Sequence, residues 1–374
     1  MHPEFPQRDD IIYLNHAAVG PWPLRTARAV QQFAEENLRQ GARAYPQWLH
    51  TEQALRAQLQ RLVNAPSVDD IALLKNTSEA LSVIAHGLTW QAGDNVVLCN
   101  LEFPSNRIVW ESLRDAGVEC RIVPIDNNCA DPEAALLSAV DANTRLLAVS
   151  SVQYASGLRM DLQRLGDFCH AWGVLFCVDA IQSLGALPFD AQAVHADFVV
   201  ADGHKWLLGP EGLALFYCRA ELRPLLRLRQ FGWHMVERHD DFSRQDWAPA
   251  HSARRFECGS PNMLGIHALQ ASLSLFEEIG MDSVATKVMN NSQLLIDIIA
   301  NYNSLEVLTP TLPARHAGIV SFRSRAIEPG RIHQALMAQG VICAQRGQGI
   351  RFAPHFYAEP AQLERAIALA AAVR

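Results

Sequence analysis

Over most of the chain, short β-branched apolar runs alternate with stretches whose apolar positions recur every three to four residues. That is the pattern of parallel strands joined by crossover helices. The runs that predict strands are IALLK from Ile71, NVVLC from Asn95, RIVPI from Arg121, RLLAVSSV from Arg145, VLFCVD from Val174, DFVVAD from Asp197 and GLALFYC from Gly212. Helices are expected over 79–90, with Leu81, Ile84 and Leu88 on one face, and over 162–172. After Phe216 the alternation stops. Residues 227–255 are rich in charge, histidine and tryptophan with no sustained period, which reads as a long functional loop or an interface segment. Beyond them, helices are expected over 263–279 and 283–302, then strands at GIVSFR, GVICAQ and IRFAP with helices over 332–339 and 361–373. The expected organisation is α/β. An arm over 1–20 packs near the active site, a large domain over 21–255 holds a mostly parallel, doubly wound sheet, and a smaller α/β domain spans 256–374. There is no internal repeat and no low-complexity segment.

Composition narrows the function classes. With 374 residues, 49% of them hydrophobic, the chain is long enough for two well-filled cores. A net charge of -7 gives no basic excess, so nucleic acid is a poor partner and a small molecule a better one. The eight cysteines lack CxxC pairs, and several lie inside apolar runs, as in VVLCN and LFCVD. Reduced thiols in a cytoplasmic protein are expected, neither a disulfide frame nor a zinc site. The polar start MHPEFPQRDD lacks the apolar core of a signal peptide, and no run of about 18 apolar residues predicts a membrane span.

The chemistry concentrates between Gly173 and Leu208. Asp179 ends one apolar run and Lys205 lies just beyond another. In a doubly wound sheet both positions fall at the carboxyl ends of parallel strands, where the ligand crevice opens. A lysine in an apolar cleft loses its proton readily and becomes available for a Schiff base. A buried carboxylate needs a cation, and a protonated pyridine nitrogen is one. The pair therefore suits pyridoxal phosphate (PLP). Each residue also has a plainer reading, Lys205 as a solvated loop lysine and Asp179 as a cap on the next turn. Lys75-Asn76-Thr77-Ser78-Glu79 ends a strand and starts a helix, which suits either a phosphate at the helix N-terminus or an ordinary capping box.

The segments NTSEAL, VDAIQSLGALP, ADGHKWLLGPEGLALFY, FECGSPNMLGI and IRFAPHFY occur in that order and spacing. Together they resemble the class V aminotransferase group of fold-type I PLP enzymes, which includes cysteine desulfurases, kynureninase and isopenicillin N epimerase. The resemblance runs from LNHAAVG at Leu14 to the C-terminal helix. It implies that Lys205 forms the Schiff base, that Asp179 pairs with the pyridinium nitrogen and that Gln182 binds the phenolic oxygen. Thr77, the Ser78 backbone and His204 would hold the phosphate. Phe103 would stack on the cofactor, with a core role as the alternative, and Gln153 would lie beside the ring oxygen or else on a solvated turn. Ser260 would reach the phosphate of a neighbouring subunit, making the active site shared across a homodimer. Arg351 would bind the substrate α-carboxylate, with Arg346 a weaker competitor; a guanidinium that stays charged suits that task on physical grounds alone.

Two departures qualify the resemblance. Cysteine desulfurases carry a nucleophilic cysteine on a loop before the carboxylate-binding arginine, whereas GVICAQRGQGIRFAP holds only Cys343, inside an apolar run. That reads as a buried structural thiol and argues against persulfide formation. Asp202 stands where desulfurases usually have serine, next to the phosphate, so its carboxylate is expected to be oriented elsewhere, onto either His204 or Lys205. GxGxxG and GxxxxGK[ST] are absent, as is HExxH. The expectation is a PLP-dependent enzyme acting on an amino acid, of the aminotransferase or carbon–sulfur lyase type. Epimerisation is the alternative reaction, and an inactive PLP-fold binding protein the non-enzyme one. Tyr154, His16 and His234 are candidates for an added acid or base.

Overall fold

The computed structural model describes residues 2–126 and 129–374. In chain order the strands are β1 (Ile12–Tyr13), β2 (Ile71–Leu74), β3 (Asn95–Cys99), β4 (Glu119–Val123), β5 (Thr144–Ser150), β6 (Leu175–Asp179), β7 (Phe198–Asp202), β8 (Ala214–Cys218), β9 (Leu305–Val307), β10 (Val320–Ser324), β11 (Val341–Ile342), β12 (Ala344–Arg346) and β13 (Gly349–Phe352). The helices are α1 (Leu24–Gln40), α2 (Tyr45–Leu62), α3 (Thr77–Gly87), α4 (Ser105–Glu111), α5 (Pro132–Ser138), α6 (Leu162–Trp172), α7 (Met263–Ile279), α8 (Met281–Ala300), α9 (Pro329–Ala338) and α10 (Pro360–Ala371).

Among the described residues the central sheet has seven strands in the order β2-β8-β7-β6-β5-β3-β4. Only β8 runs against the rest. Every residue of β3, β7 and β8 is buried, which is why these runs read as continuous apolar segments without polar alternation. One apolar cluster covers one sheet face with α6 and α7, and a second covers the other with α3 and α4. A four-stranded antiparallel sheet, β12-β13-β10-β9, packs with α8, α9 and α10 around a third cluster. The α/β architecture, with a mostly parallel main sheet and a second, smaller sheet, is the expected one.

Several elements differ from the sequence expectation. GVICAQ forms two short strands, because β11 pairs in parallel with β1 while β12 turns to pair with β13. RIVPI starts two residues late, since β4 is held by its parallel register with β3 from Glu119 onward. Helices α1 and α2 were not foreseen, and α7 packs on both of them, within the apolar cluster of the main sheet. Ile12 and Leu14, near the start of the chain, belong instead to the C-terminal cluster. The 227–255 segment contains a short turn of helix at Trp233–Met235, an isolated bridge between Val236 and Pro249, and the start of a second short turn at Ala253–Phe256.

Candidate functional site

Asp179 closes β6, in register with Ser150 at the end of β5. Its carboxylate is buried and accepts a hydrogen bond from the Ile181 amide at 3.1 Å. Burial pushes its pKa up; the Ile181 amide and Lys205 oppose that, and Glu102 and Asp202 add to it. Lys205 lies three residues past the end of β7, also buried. Burial lowers its pKa; Asp179 and Asp202 act the other way, and the charges of Arg351 and Arg346 reinforce the fall. Its Nζ stands 5.5 Å from the centre of the Phe103 ring. Asp179 and Lys205 are thus both buried with few protein partners, and each charge acts on the other.

The backbone around Lys205 is gripped from three directions. The Gly20 amide donates to the His204 carbonyl at 2.7 Å, and a Cβ at Gly20 would collide with the Lys205 carbonyl oxygen. Gly185, at φ 91°, lets the loop after β6 approach Trp206, whose carbonyl oxygen a side chain there would strike. Trp206 is fully buried and donates its Nε1–H to Gln182 Oε1 at 2.9 Å, while Gln182 Nε2 donates to the Ala17 carbonyl at 3.0 Å. Gln182 therefore ties the N-terminal arm to the lysine segment.

At the N-terminus of α3, Asn76 caps by accepting the Glu79 amide at 2.8 Å, and Glu79 in turn accepts the Lys75 amide at 2.7 Å. The capping reading of this segment is therefore realised, one residue out of register from a true capping box. It leaves other groups open. Thr77 Oγ1 is buried without a hydrogen-bond partner among the described residues, as is His204 Nδ1. The Asp202 carboxylate reaches the first turn of α3, where Oδ2 accepts the Thr77 amide at 3.1 Å, with Oδ1 3.8 Å from His204 Nδ1. That is where this chain orients the acid that departs from the family pattern. Ser78 Oγ donates to Ser105 Oγ at 2.8 Å.

Phe103 is 40% exposed and meets Tyr154 edge-on at 5.1 Å between ring centres, so it is a wall of the crevice and not a core residue. Gln153 is buried, with its Nε2 donating to Glu102 Oε1 at 2.8 Å and its Oε1 unpartnered among the described residues. Glu102 was not foreseen. This buried carboxylate also accepts the Ser150 amide at 2.9 Å, the Ser150 hydroxyl and Asn106 Nδ2 at 2.8 Å, and so fixes Gln153 and the ends of β3 and β5 together. The signal that marks Asp179, an acid just past a buried strand, also marks Glu102.

Arg351, on β13, is 1% exposed and has no carboxylate partner among the described residues. One guanidinium nitrogen donates to the Tyr154 carbonyl at 2.7 Å, another reaches Asn15 Oδ1 at 3.5 Å, and Nε is unpartnered. Burial, with Arg346 nearby, lowers its pKa to about 9, so it still carries its charge at neutral pH. A buried, charged fork without an anion is prepared to receive one. Asn15 was also missed, although it sits in the LNHAAVG motif.

Other candidates lie elsewhere or are already engaged. His16 is sealed between the Ala353 carbonyl at 2.8 Å and the Tyr357 hydroxyl at 2.6 Å, and burial keeps its pKa well below the usual histidine range. It is a packing residue, which corrects its candidacy as acid or base. His234 joins Glu52 and Glu257 in a buried cluster whose donor atoms lie within 4.8 Å of one another. Arg56 fills that cluster, bonding Glu52 at 2.5 Å and Glu257 at 2.6 and 2.7 Å, while Arg56 and Glu257 together cap the Ile71 carbonyl and Leu73 amide on the outer edge of β2. The cluster is a clamp that covers a sheet edge. Cys343 is buried between β11 and β12, and burial raises its thiol pKa to about 12. Ser260 is exposed on the loop before α7. Tyr154 alone of the added acid–base candidates borders the crevice.

The residues fit the expected cofactor. A buried acid can face a ring nitrogen, and a lysine whose pKa burial lowers can face a carbonyl. An open hydroxyl and an open imidazole nitrogen flank the start of α3, where a phosphate would be welcome. Comparison with known proteins agrees. The profile of the family described as "Aminotransferase class-V" matches residues 12–364. A "Probable cysteine desulfurase" of Methanothermobacter thermautotrophicus is 32% identical over 348 residues, covering 92% of this chain and 86% of the relative. An "Uncharacterized aminotransferase YcbU" of Bacillus subtilis is 29% identical, covering 91% and 88%. Among solved structures, the apo cysteine desulfurase of Thermococcus onnurineus NA1 shares the fold, with a TM-score of 0.88 at 22% identity over 98% of this chain and 95% of that one.

Proposed function

The chain belongs to the aminotransferase class-V family of PLP-dependent enzymes, and from that premise we propose that it acts on a cysteine-like α-amino acid as a carbon–sulfur lyase or aminotransferase. Lys205 would hold PLP covalently, Asp179 would face its ring nitrogen and Gln182 its phenolic oxygen. Thr77, the Ser78 amide and His204 would take the phosphate, Phe103 would cover the ring, and Gln153 would lie beside it. When bound, PLP supplies an electron sink for negative charge at the substrate Cα. Arg351 would orient the substrate by its carboxylate, Lys205 Nζ would take the proton from Cα, and the Tyr154 hydroxyl would protonate a leaving group.

The observation that carries this reading is Arg351, a buried cation without an anion, beside a crevice that already holds Asp179 and Lys205. Sulfur chemistry is suggested by the relatives named as cysteine desulfurases. A protein-bound persulfide is disfavoured, because Cys343 is buried and protonated. Cys343→Ala should leave turnover within about two-fold of the parent and cost only about 1 kcal/mol of stability; a loss of sulfur release would restore the thiol to the mechanism. Epimerisation needs bases on both faces, and with His16 sealed the structure offers less support for it. Incubation with a panel of amino acids separates the reactions. Pyruvate with sulfide marks the lyase, a keto acid without sulfide the aminotransferase, and loss of chirality alone the epimerase. Absence of all three would sink the proposal.

Residues 1–20 as an arm over the site, 21–255 as the cofactor-binding domain and 256–374 as a smaller domain remain part of this reading, with α7 attached to the former. So does a homodimer in which Ser260 serves the site of a second copy. It is supported by the exposure of Phe231, Phe242 and Trp247 on the unpaired 227–255 segment. No helix of the described residues is long and apolar enough to cross a membrane.

The pKa of Lys205 bears on cofactor capture, which requires the neutral amine. Because burial holds the lysine below its ordinary value of 10.5, capture of PLP by the apoenzyme should speed up with rising pH and level off below 10.5. Asp179→Asn removes an anion that keeps the proton on Lys205, so the levelling point should move lower still. Stopped-flow absorbance against pH reads both, and a profile still climbing at 10.5 would contradict the assignment.

A further inference from the structure

Arg346 has no role in the mechanism above, yet the fold aims it at the same crevice as Arg351. β12 and β13 form a tight antiparallel hairpin in which Ala344 stands opposite Arg351 and Arg346 opposite Gly349. Side chains directly opposite in such a pair share a face, and residues two apart on one strand share it too. Arg346 and Arg351 therefore project from the same side of the hairpin, Arg346 nearer the turn at Gly347. Their states differ. Arg351 is buried and Arg346 is exposed. The one hydrogen bond from the Arg346 guanidinium among the described residues goes to the carbonyl of its neighbour Gln345, at 2.8 Å. Apart from Arg351, the other arginines in and beside the strands of this small sheet are paired, Arg323 and Arg325 both with Glu306, whereas Arg346 has no acidic partner among the described residues. Its charge nonetheless reaches inward, since it is felt at both Lys205 and Arg351.

We propose that Arg346 is a specificity-determining residue that binds a second anionic group at the far end of the substrate, so that the preferred substrate is an α-amino acid bearing a distal carboxylate or similar anion. This rests on the reading of Arg351 as the α-carboxylate site. One arginine, buried and rigid, holds the end of the substrate common to all amino acids. The other, at the mouth, selects among side chains. The exposed position suits a group that differs between substrates, because the guanidinium can meet it without first being desolvated. A charge-assisted bond of this kind, formed with one substrate and not with its neutral analogue, is worth about ten-fold or more in affinity.

A matched pair of probes isolates that contact. S-methyl-L-cysteine and S-carboxymethyl-L-cysteine differ by one distal carboxylate. Each is mixed with the PLP-loaded enzyme, and the initial absorbance change of the cofactor gives its affinity. The parent should bind the carboxymethyl compound about ten-fold more tightly or better. Arg346→Gln should erase that preference while changing S-methyl-L-cysteine by less than two-fold, and Arg346→Lys should restore part of it. Rising salt should weaken only the carboxymethyl compound. A parent that binds both probes alike, or an Arg346→Gln variant that weakens both equally, overturns this inference and leaves the Arg351 reading standing. A loaded enzyme whose absorbance responds to no amino acid overturns both together.

Discussion

Lys205→Ala is expected to lower turnover by at least ~10³-fold and to yield a protein that no longer retains PLP after borohydride reduction and denaturation. Two roles fall on one atom. On the proposed reading Nζ would be both the covalent holder of the cofactor and the group that takes the proton from Cα. Burial lowers the pKa of this amine to about 8, while the Phe103 ring 5.5 Å away favours its charged form. The variant should still fold, because the segment is held by backbone contacts from Gly20, by Trp206 and by Gln182, none of which uses the lysine side chain. Mass spectrometry after reduction reads the covalent link directly. A variant that keeps a reduced, covalently attached cofactor would show that another amine does the work.

Arg351→Met should divide stability from function. Replacing a buried charge that has no counter-ion with an apolar side chain of similar length removes a desolvation cost, so the apoenzyme should gain about 1 to 2 kcal/mol against denaturant. The lost bond to the Tyr154 carbonyl offsets part of this. Meanwhile kcat/KM should fall by ~30- to 1,000-fold, the equivalent of about 2 to 4 kcal/mol for removing one member of a buried charge pair formed with the substrate. Arg351→Lys should recover little, because an ammonium cannot reproduce the two-pronged fit to a carboxylate. Urea unfolding of the apoenzyme and steady-state kinetics of the loaded enzyme measure the two effects on the same variant. If stability and activity both fall, Arg351 serves the fold, and the substrate carboxylate is bound elsewhere.

The central strands were legible because they are buried on both faces. Residues in β3, β7 and β8 have no solvent side to be polar on, so each run announces itself locally. Helix α1 was not legible in the same way. Its polar face dominates, and among its residues only Thr26 is buried in the single chain. GVICAQ is apolar enough for one strand, but its division into β11 and β12 depends on two partners far apart in sequence, β1 and β13.

The site divides along the same line. Asp179, Lys205 and Arg351 are chemically unusual where they stand, charged residues next to apolar runs, and each could be proposed from its neighbours alone. Glu102 and Asn15 could not be assigned their tasks that way, since Glu102 acts on Gln153 and Asn15 on Arg351 across 51 and 336 residues of chain. Equally, the sequence offers His16 and His234 as candidates on the same footing as Tyr154. Only packing shows the first locked to Ala353 and Tyr357, the second set in the Arg56 clamp, and the third open to the crevice.

By itself, then, the sequence determined the layered α/β plan and the pairing of an acid with a lysine at two strand ends, because burial and chemistry restrict residue type position by position. The tertiary structure alone decided where the Asp202 carboxylate points, which side chains are left without partners, and that Arg346 and Arg351 share one face of a hairpin. Those are properties of distance between remote segments, and a hydrogen bond or an unpaired charge exists only once the chain has brought its ends together.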